Sequence, residues 1–413
     1  MAIWAKTIGT SWSAFGMPKL LICDNGLYVS LAARMAQDQP VAYFSSWVNA
    51  FPQSRELAPA TGIPNIERVN DPIAHILDGK ASHVIVPDLH LEGIERLARQ
   101  CEIPTFGSGA GNALETDRWG LKEFLAENDL DVINSVQVEG IEAARKLIEK
   151  DPDKFVKVSV FRGDMETRSG EDFLTEYDAL RHRLGQLADS IIFIVEDPIE
   201  DATEIGIDTF FLMGDGFSGS LLGIERKDAA YFGWKPARLP KETDPIVSAL
   251  GDYLAKSDYN NFFSVEMRKN KHGVFVTDAT CRVPSPPGGV MMAACQNFSD
   301  VVLKGEDPDY GDARYFCEIV LKSDWVAENW LKVTFPKQMA DRYAFHNYCV
   351  RDGDIWIIPH DSKYREFGSA LGWGATADEA KSMCIEAAEA VKANQLVFDA
   401  SELEKAATDS ESD

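Results

Sequence analysis

The sequence lacks the features that would tie it to a membrane, a disulfide framework or a nucleic acid. No apolar run approaches the roughly 20 residues needed to span a bilayer. The greasiest stretches, Ile191 to Val195 and Phe210 to Met213, have the length of buried strands. The opening MAIWAKTIGTSW has no basic region leading into an apolar core and a cleavage site, so no signal peptide is expected. The seven cysteines are scattered, odd in number and never at CxxC spacing, which argues against a zinc site and against a disulfide scaffold. Reduced cysteines acting as small core residues in a cytoplasmic protein are the expectation. Basic residues are scarce: 41 Lys and Arg face 66 Asp and Glu, a net charge of −25. Sequence-independent nucleic-acid binding needs cationic surface and is disfavoured. An enzyme handling nucleotide phosphates on this background would need a few well-placed cations. No GxGxxG follows the first predicted strand, which removes the dinucleotide fingerprint. Internal repeats are absent.

What is present is alternation. Strand-like Leu20 to Cys23, Val41 to Phe44, His83 to Pro87 and Ile103 to Phe106 are interleaved with helical spacing at Leu27 to Gln37 and Leu89 to Gln100. This pattern predicts a parallel sheet with crossover helices. Gly107 to Gly111 reads as a flexible boundary, followed by a helix over Leu114 to Leu130. A small α+β unit is predicted next, with strands at 134–138, 154–161 and 191–195 and helices over 140–150 and 170–187. A strand-rich segment, a helix near Met291 to Lys304 and a final α+β piece with a helix over Ala377 to Asn394 complete the chain. The polar, acidic end, SELEKAATDSESD, reads as a frayed tail.

The most informative segment is NFFSVEMRKNKHGVFVTDATCRVPSPPGG, residues 261–289. Two strand-like runs flank a short loop ending in Gly273. Side chains alternate along a strand, so Asp278, Thr280 and Arg282 share one face and Ala279, Cys281 and Val283 the other. Folding the hairpin about residue 271 or 272 places Glu266 opposite position 276 or 278. Carboxylates that close repel unless a cation lies between them. Mg²⁺ suits such a pair, because it takes one or two protein carboxylates plus phosphate oxygens. A solvated edge hairpin would carry the same pattern. The following PSPPGG run ends the strand, and the amides of Gly288 and Gly289 are candidates for anion binding.

A carboxylate on one strand, followed by acidic-x-polar-x-Arg on its neighbour, resembles the metal-binding signature of the ATP-grasp superfamily. Further segments fall in the order of the glycinamide ribonucleotide synthetase (phosphoribosylamine–glycine ligase) family. FGSGAGNALETDRWGLKEFLAENDL resembles the stretch before that family's lid, where two basic residues four apart share a helix face; here they are Arg118 and Lys122. DKFVKVSV resembles the lid strand whose lysine, here Lys157, meets nucleotide phosphates. The lid loop that follows carries only Gly163 and Gly170, with Arg162 or Arg168 as possible substitutes for a glycine cradle. IIFIVEDPIEDATEIGIDTFF resembles the hinge, which implies Val195 and Glu196 near adenine and Glu204 near ribose or metal. The resemblance runs from about residue 104 to 394. It departs from the family in the N-terminal hundred residues and in CRVPSPPGGVM, where that family holds its substrates.

The resemblance implies mixed α/β and α+β architecture. Residues 1–112 would form a Rossmann-like pre-ATP-grasp domain, 113–310 an ATP-grasp core with a lid at about 131–195, 311–400 a small α+β domain, and 401–413 a disordered acidic tail. It implies ATP and Mg²⁺ or Mn²⁺ as cofactors, with Glu266 and Asp278 on the metal. Arg282 and Lys157 would be catalytic, and Arg118 would join Lys157, Val195, Glu196 and Glu204 around the nucleotide. The implied reaction joins a small carboxylate to an amine through an acyl phosphate, in a monomer or homodimer without membrane or nucleic-acid partners. Phosphorylation or carboxylation of a small molecule, and an inert nucleotide sensor, stand as alternatives. Arg34, Ser45, Ser46, Trp47 and the Ser285 to Gly289 loop are the candidate substrate face.

Overall fold

A computed structural model describes residues 19–46, 57–159, 167–359 and 364–410; Trp47 and Arg162 lie outside them. The first sheet has five parallel strands, ordered Ile66–Arg68, Val41–Ser45, Lys19–Asp24, Ala81–Ile85 and Thr105–Phe106. Leu20, Leu21, Ile22 and Cys23 are all buried, because helices cover both faces; hence the unbroken apolar run rather than alternation. The strand order reverses beside Lys19–Asp24. Its carboxyl end, with Asp24, and the residues after Ala81–Ile85, with Asp88, therefore form the crevice where such sheets receive ligands.

Gly107 to Gly111 is not a flexible run. It tightens into a 3₁₀ turn at Gly109–Asn112, and Glu95 accepts the Gly109 amide at 2.8 Å. The glycines permit close approach: a Cβ on Gly111 would sit 2.5 Å from the Tyr259 ring. The helix expected over 114–130 is two helices, Ala113–Thr116 and Arg118–Glu127. The break is Asp117, whose extended backbone lets its carboxylate cap the Gly120 amide.

Residues 135–196 hold a four-stranded antiparallel sheet, ordered Ser135–Glu139, Ile192–Glu196, Phe155–Val158 and Arg168–Ser169. Its apolar core joins Ile141, Ile148, Phe173, Phe193 and Val195. The helix expected over 170–187 is also broken, into Gly170–Thr175 and Tyr177–Leu184.

The remaining large sheet begins with Gly273–Thr280 at its edge. Inward lie Asn261–Asn270, Thr203–Leu212, Gly216–Arg226, Ala230–Trp234, Tyr315–Ser323, Glu366–Gly374 and Tyr343–Phe345. It crosses position 310 without interruption, since Ala230–Trp234 pairs directly with Tyr315–Ser323. Helices Gly288–Ala294 and Phe298–Lys304, expected as one, pack beside it. Phe262 meets Phe210, Phe298 and Phe106, which ties the first sheet to the large one. Burial of each such ring stabilises by about 1.5–3 kcal/mol.

The acidic end corrects the expectation of a frayed tail. Ala400–Ser410 is a helix with Leu403, Ala406 and Ala407 buried. Their i, i+3, i+4 spacing forms an apolar stripe that docks on the large sheet, and Arg226 pairs with Asp409. No helix among the described residues is long and apolar enough to cross a membrane.

Candidate active site

The hairpin pairs Glu266 with Asp278. Met267 pairs with Val276, so Thr277 is an extra residue, a bulge. The bulge turns the Thr277 carbonyl outward to accept Lys157 Nζ at 2.9 Å and returns Asp278 to the face of Glu266. Thr280 and Arg282 line the same cavity as the two carboxylates, while Ala279 and Cys281 lie in the apolar core. No described residue donates a hydrogen bond to the Glu266 carboxyl. Burial, then Asp278 and Glu204, push its pKa up to about 8. Glu225, two strands away on Gly216–Arg226, is raised well above its usual value, by burial first and then by Glu266. Sequence reading missed Glu225, although Gly223, Glu225 and Lys227 follow the same alternation.

Among the described residues no group of three or more His, Cys, Asp or Glu side chains comes together as a metal site. Mg²⁺ does not require one, as phosphate and water supply its remaining ligands. The unsatisfied Glu266 carboxyl opposite Asp278 fits that chemistry.

Basic groups converge on the pair from the helix and the four-stranded sheet. Arg118 is buried; its Nη1 donates to the Val158 carbonyl at 2.9 Å and its Nη2 lies 3.7 Å from Asp278. One turn on, Lys122 Nζ lies 2.7 Å from Glu196, and Lys157 Nζ lies 3.0 Å from the other Glu196 oxygen. Burial opposes ionisation of Glu196, but Lys157 and Lys122 outweigh it and hold the carboxyl below its usual range. Glu196 is thus a clasp for two lysines. Val195 faces the core of its own sheet and is paired on both sides, with Val136 and Val156. Glu204 lines the cavity and meets Arg268 at 3.1 Å.

The cavity measures about 570 Å³. Arg168 reaches it from the four-stranded sheet and Glu176 from between the helices packed on that sheet, Tyr364 and Glu366 reach it at the start of Glu366–Gly374, and Pro284, Ser285 and Pro286 close one wall. Nine lining side chains are Asp or Glu and three are Lys or Arg, so the chamber favours cations. On its floor Asp208 accepts Tyr231 Oη at 2.7 Å and Ser264 Oγ at 2.6 Å. Tyr231 reaches it only because Gly223 and Gly233 flank the ring, where a Cβ would lie 2.2 and 2.4 Å from the hydroxyl.

The Ser285 to Gly289 loop is not an amide nest. The Gly288 amide donates to the Pro284 carbonyl at 2.8 Å, and Gly289 is buried with Glu318 against it. Ser285 is exposed and donates to Glu366 at 3.3 Å. Arg34 is spent on Asp38 and on the carbonyls of Cys295 and Gln296, away from the cavity. Ser45 ends its strand in a buried position. Arg282 donates from Nε to Glu115 at 2.9 Å and from Nη1 to Tyr28 Oη at 3.1 Å, with Asp88 at 3.9 Å. Only Nη2 has no hydrogen bond among the described residues. His346, 3.9 Å from Glu366, is held neutral by burial, with its pKa lowered to about 4.

Burial raises Glu266 to about 8, Glu318 and Glu366 to about 7, and Asp24 and Asp208 to about 6. The folded chain keeps protons that the unfolded chain releases near pH 4–4.5. Stability from these groups is therefore full below that range and is lost as pH rises through 6 to 8. Each group costs about 1.4 kcal/mol per pH unit within its own window. His346 acts oppositely, but only between about 4 and its ordinary value. Denaturant midpoints without divalent cation are expected to fall from pH 5.5 to 8.5.

No family model matches the sequence, and no curated protein matches it. Solved structures do. Phosphoribosylamine–glycine ligase from Thermotoga maritima superposes over 92% of this chain and 98% of its own, with TM-score 0.66 at 15% identity. The chain has the ATP-grasp fold. The same ATP-grasp fold is shared with the biotin carboxylase domain of Hydrogenobacter thermophilus 2-oxoglutarate carboxylase, solved with MgADP, ADP and bicarbonate. That match covers 92% of each chain at 13% identity, TM-score 0.64. N5-carboxyaminoimidazole synthetase from Staphylococcus aureus, complexed with ADP, matches over 90% of this chain and 97% of its own at 14% identity, TM-score 0.56.

Proposed function

We propose that the chain is an ATP- and Mg²⁺-dependent ligase that joins a small carboxylate to an amine through an acyl phosphate, releasing ADP and phosphate. The observation that carries this reading is the Glu266–Asp278 pair, opposed across a hairpin beside Arg118 and the Lys122–Glu196–Lys157 clasp. Mg²⁺ on that pair would neutralise phosphate charge and hold the triphosphate in place. The first step forms a bond between a substrate carboxylate oxygen and the γ-phosphorus and breaks the β–γ bridge, so that ADP leaves. The amine nitrogen then bonds to the acyl carbon, phosphate departs, and the amine's proton passes to a cavity carboxylate. Arg118, Lys122 and Lys157 offset charge on the moving phosphoryl group once the nucleotide competes for them with Asp278 and Glu196. The four-stranded sheet, acting as a lid, keeps water from the acyl phosphate.

The acidic chamber supports an amine that binds as its ammonium cation and gives one proton to a cavity carboxylate before the neutral nitrogen attacks, and it disfavours a phosphorylated nucleophile, since its three basic groups are outnumbered and Arg282 is largely engaged. The test is ADP release with Mg²⁺ and ATP, challenged in turn with pooled amino acids, amines and bicarbonate. Stimulation that needs a carboxylate and an amine together supports the ligase. Stimulation by bicarbonate alone would mark a carboxylating enzyme, and tight ATP binding with no stimulated turnover would mark a sensor.

A further inference from the structure

We infer that Glu115, a residue outside the reacting groups, is the positioning residue for the metal-bearing strand and for Arg282; this rests on the ligase reading above. Gly273–Thr280 is the edge strand of the large sheet, paired among the described residues only with Asn261–Asn270. Its ladder ends at Thr280, paired with Ser264. Immediately beyond, the buried amide of Cys281 has no strand to donate to, and such an amide must find an acceptor.

The Glu115 carboxylate is that acceptor. Its side chain is 0% exposed, one oxygen takes the Cys281 amide, and the other takes Arg282 Nε at 2.9 Å. A carboxylate in this place makes charge-assisted bonds, roughly twice as strong as neutral ones. Glu115 lies on helix Ala113–Thr116, and Asp117 then caps the helix that opens with Arg118. Arg118 reaches back to Asp278. The helix pair therefore grips the edge strand at two points, residue 278 through Arg118 and residues 281–282 through Glu115. The second grip fixes the direction in which the Asp278 carboxylate leaves the strand. Arg282 extends it to the first sheet through Tyr28 and Asp88.

The test is calorimetric binding of ATP with Mg²⁺ and, separately, with EDTA. Glu115→Gln keeps an acceptor for the Cys281 amide but turns an N–H toward Arg282 Nε. It is expected to weaken Mg²⁺-dependent ATP binding about 10–100-fold, the usual cost of losing a group that orients a metal ligand, and to leave binding in EDTA unchanged. A folded variant with wild-type Mg²⁺-dependent affinity, or with equal losses with and without metal, overturns the proposal. If Glu115→Gln does not fold, Glu115→Asp, which keeps the charge at a shorter reach, must show a smaller loss confined to the Mg²⁺ arm. Asp278→Asn separates the two readings. If it spares the Mg²⁺-dependent binding, the metal assignment itself fails; if it removes that binding while Glu115→Gln does not, only the positioning role falls.

Discussion

Asp278→Asn and Glu266→Gln are each expected to lower Mg²⁺-dependent ADP formation by about 10²–10³, the range for several kcal/mol of metal-borne charge stabilisation. The fold should not suffer. Glu266 is raised to about 8 by burial and by Asp278, so an amide removes a group that resists ionisation. Without divalent cation at pH 8, the melting midpoint of Glu266→Gln should equal or exceed that of the parent. Asn and Gln keep the shape of the side chains and cannot supply the charge, so lost turnover with retained stability would isolate the electrostatic role. Wild-type turnover in either variant would remove the basis of the ligase reading.

Arg282→Ala is expected to act in the opposite balance, costing about 3–5 kcal/mol of stability. That is the usual penalty for taking one partner from a buried ion pair. The Glu115 side chain is wholly buried, and Arg282 is its charged donor. Removing the guanidinium leaves a carboxylate in the interior and strips a hydrogen bond from Tyr28, whose own hydroxyl donates to the Val283 carbonyl at 3.0 Å. Guanidinium chloride unfolding checks the size. A variant within about 1 kcal/mol of the parent would mean that water reaches Glu115 freely.

The carboxylate hairpin was legible because strand periodicity alone puts Asp278, Thr280 and Arg282 on one face, and folding the short loop about residue 271 or 272 offers two registers. The loop instead folds between residues 271 and 272, a register that neither choice gave, and Glu266 meets Asp278 only through the Thr277 bulge, which no periodicity announces. Arg118 and Lys122 were legible as a helical pair, but their partners Asp278 and Glu196 lie 160 and 74 positions away and are joined to them only by the fold. Glu225, Glu366 and Glu115 were missed for the same reason: each is a lone acid in its own segment. Helices 114–130, 170–187 and 291–304 were each read as one, because the apolar spacing continues across the breaks at Asp117, at Glu176 and at 295–297. The tail misled by composition, since its acids conceal the stripe of Leu403, Ala406 and Ala407.

The unbroken large sheet has a consequence for how this chain can be divided or recombined. Tyr315–Ser323 completes the ladder of Ala230–Trp234. A truncation at residue 310 would bare an apolar strand rim built to be covered, inviting association between molecules. The segments before and after residue 310 therefore cannot be exchanged as cassettes, and a graft from another protein of this fold must carry its own seam along.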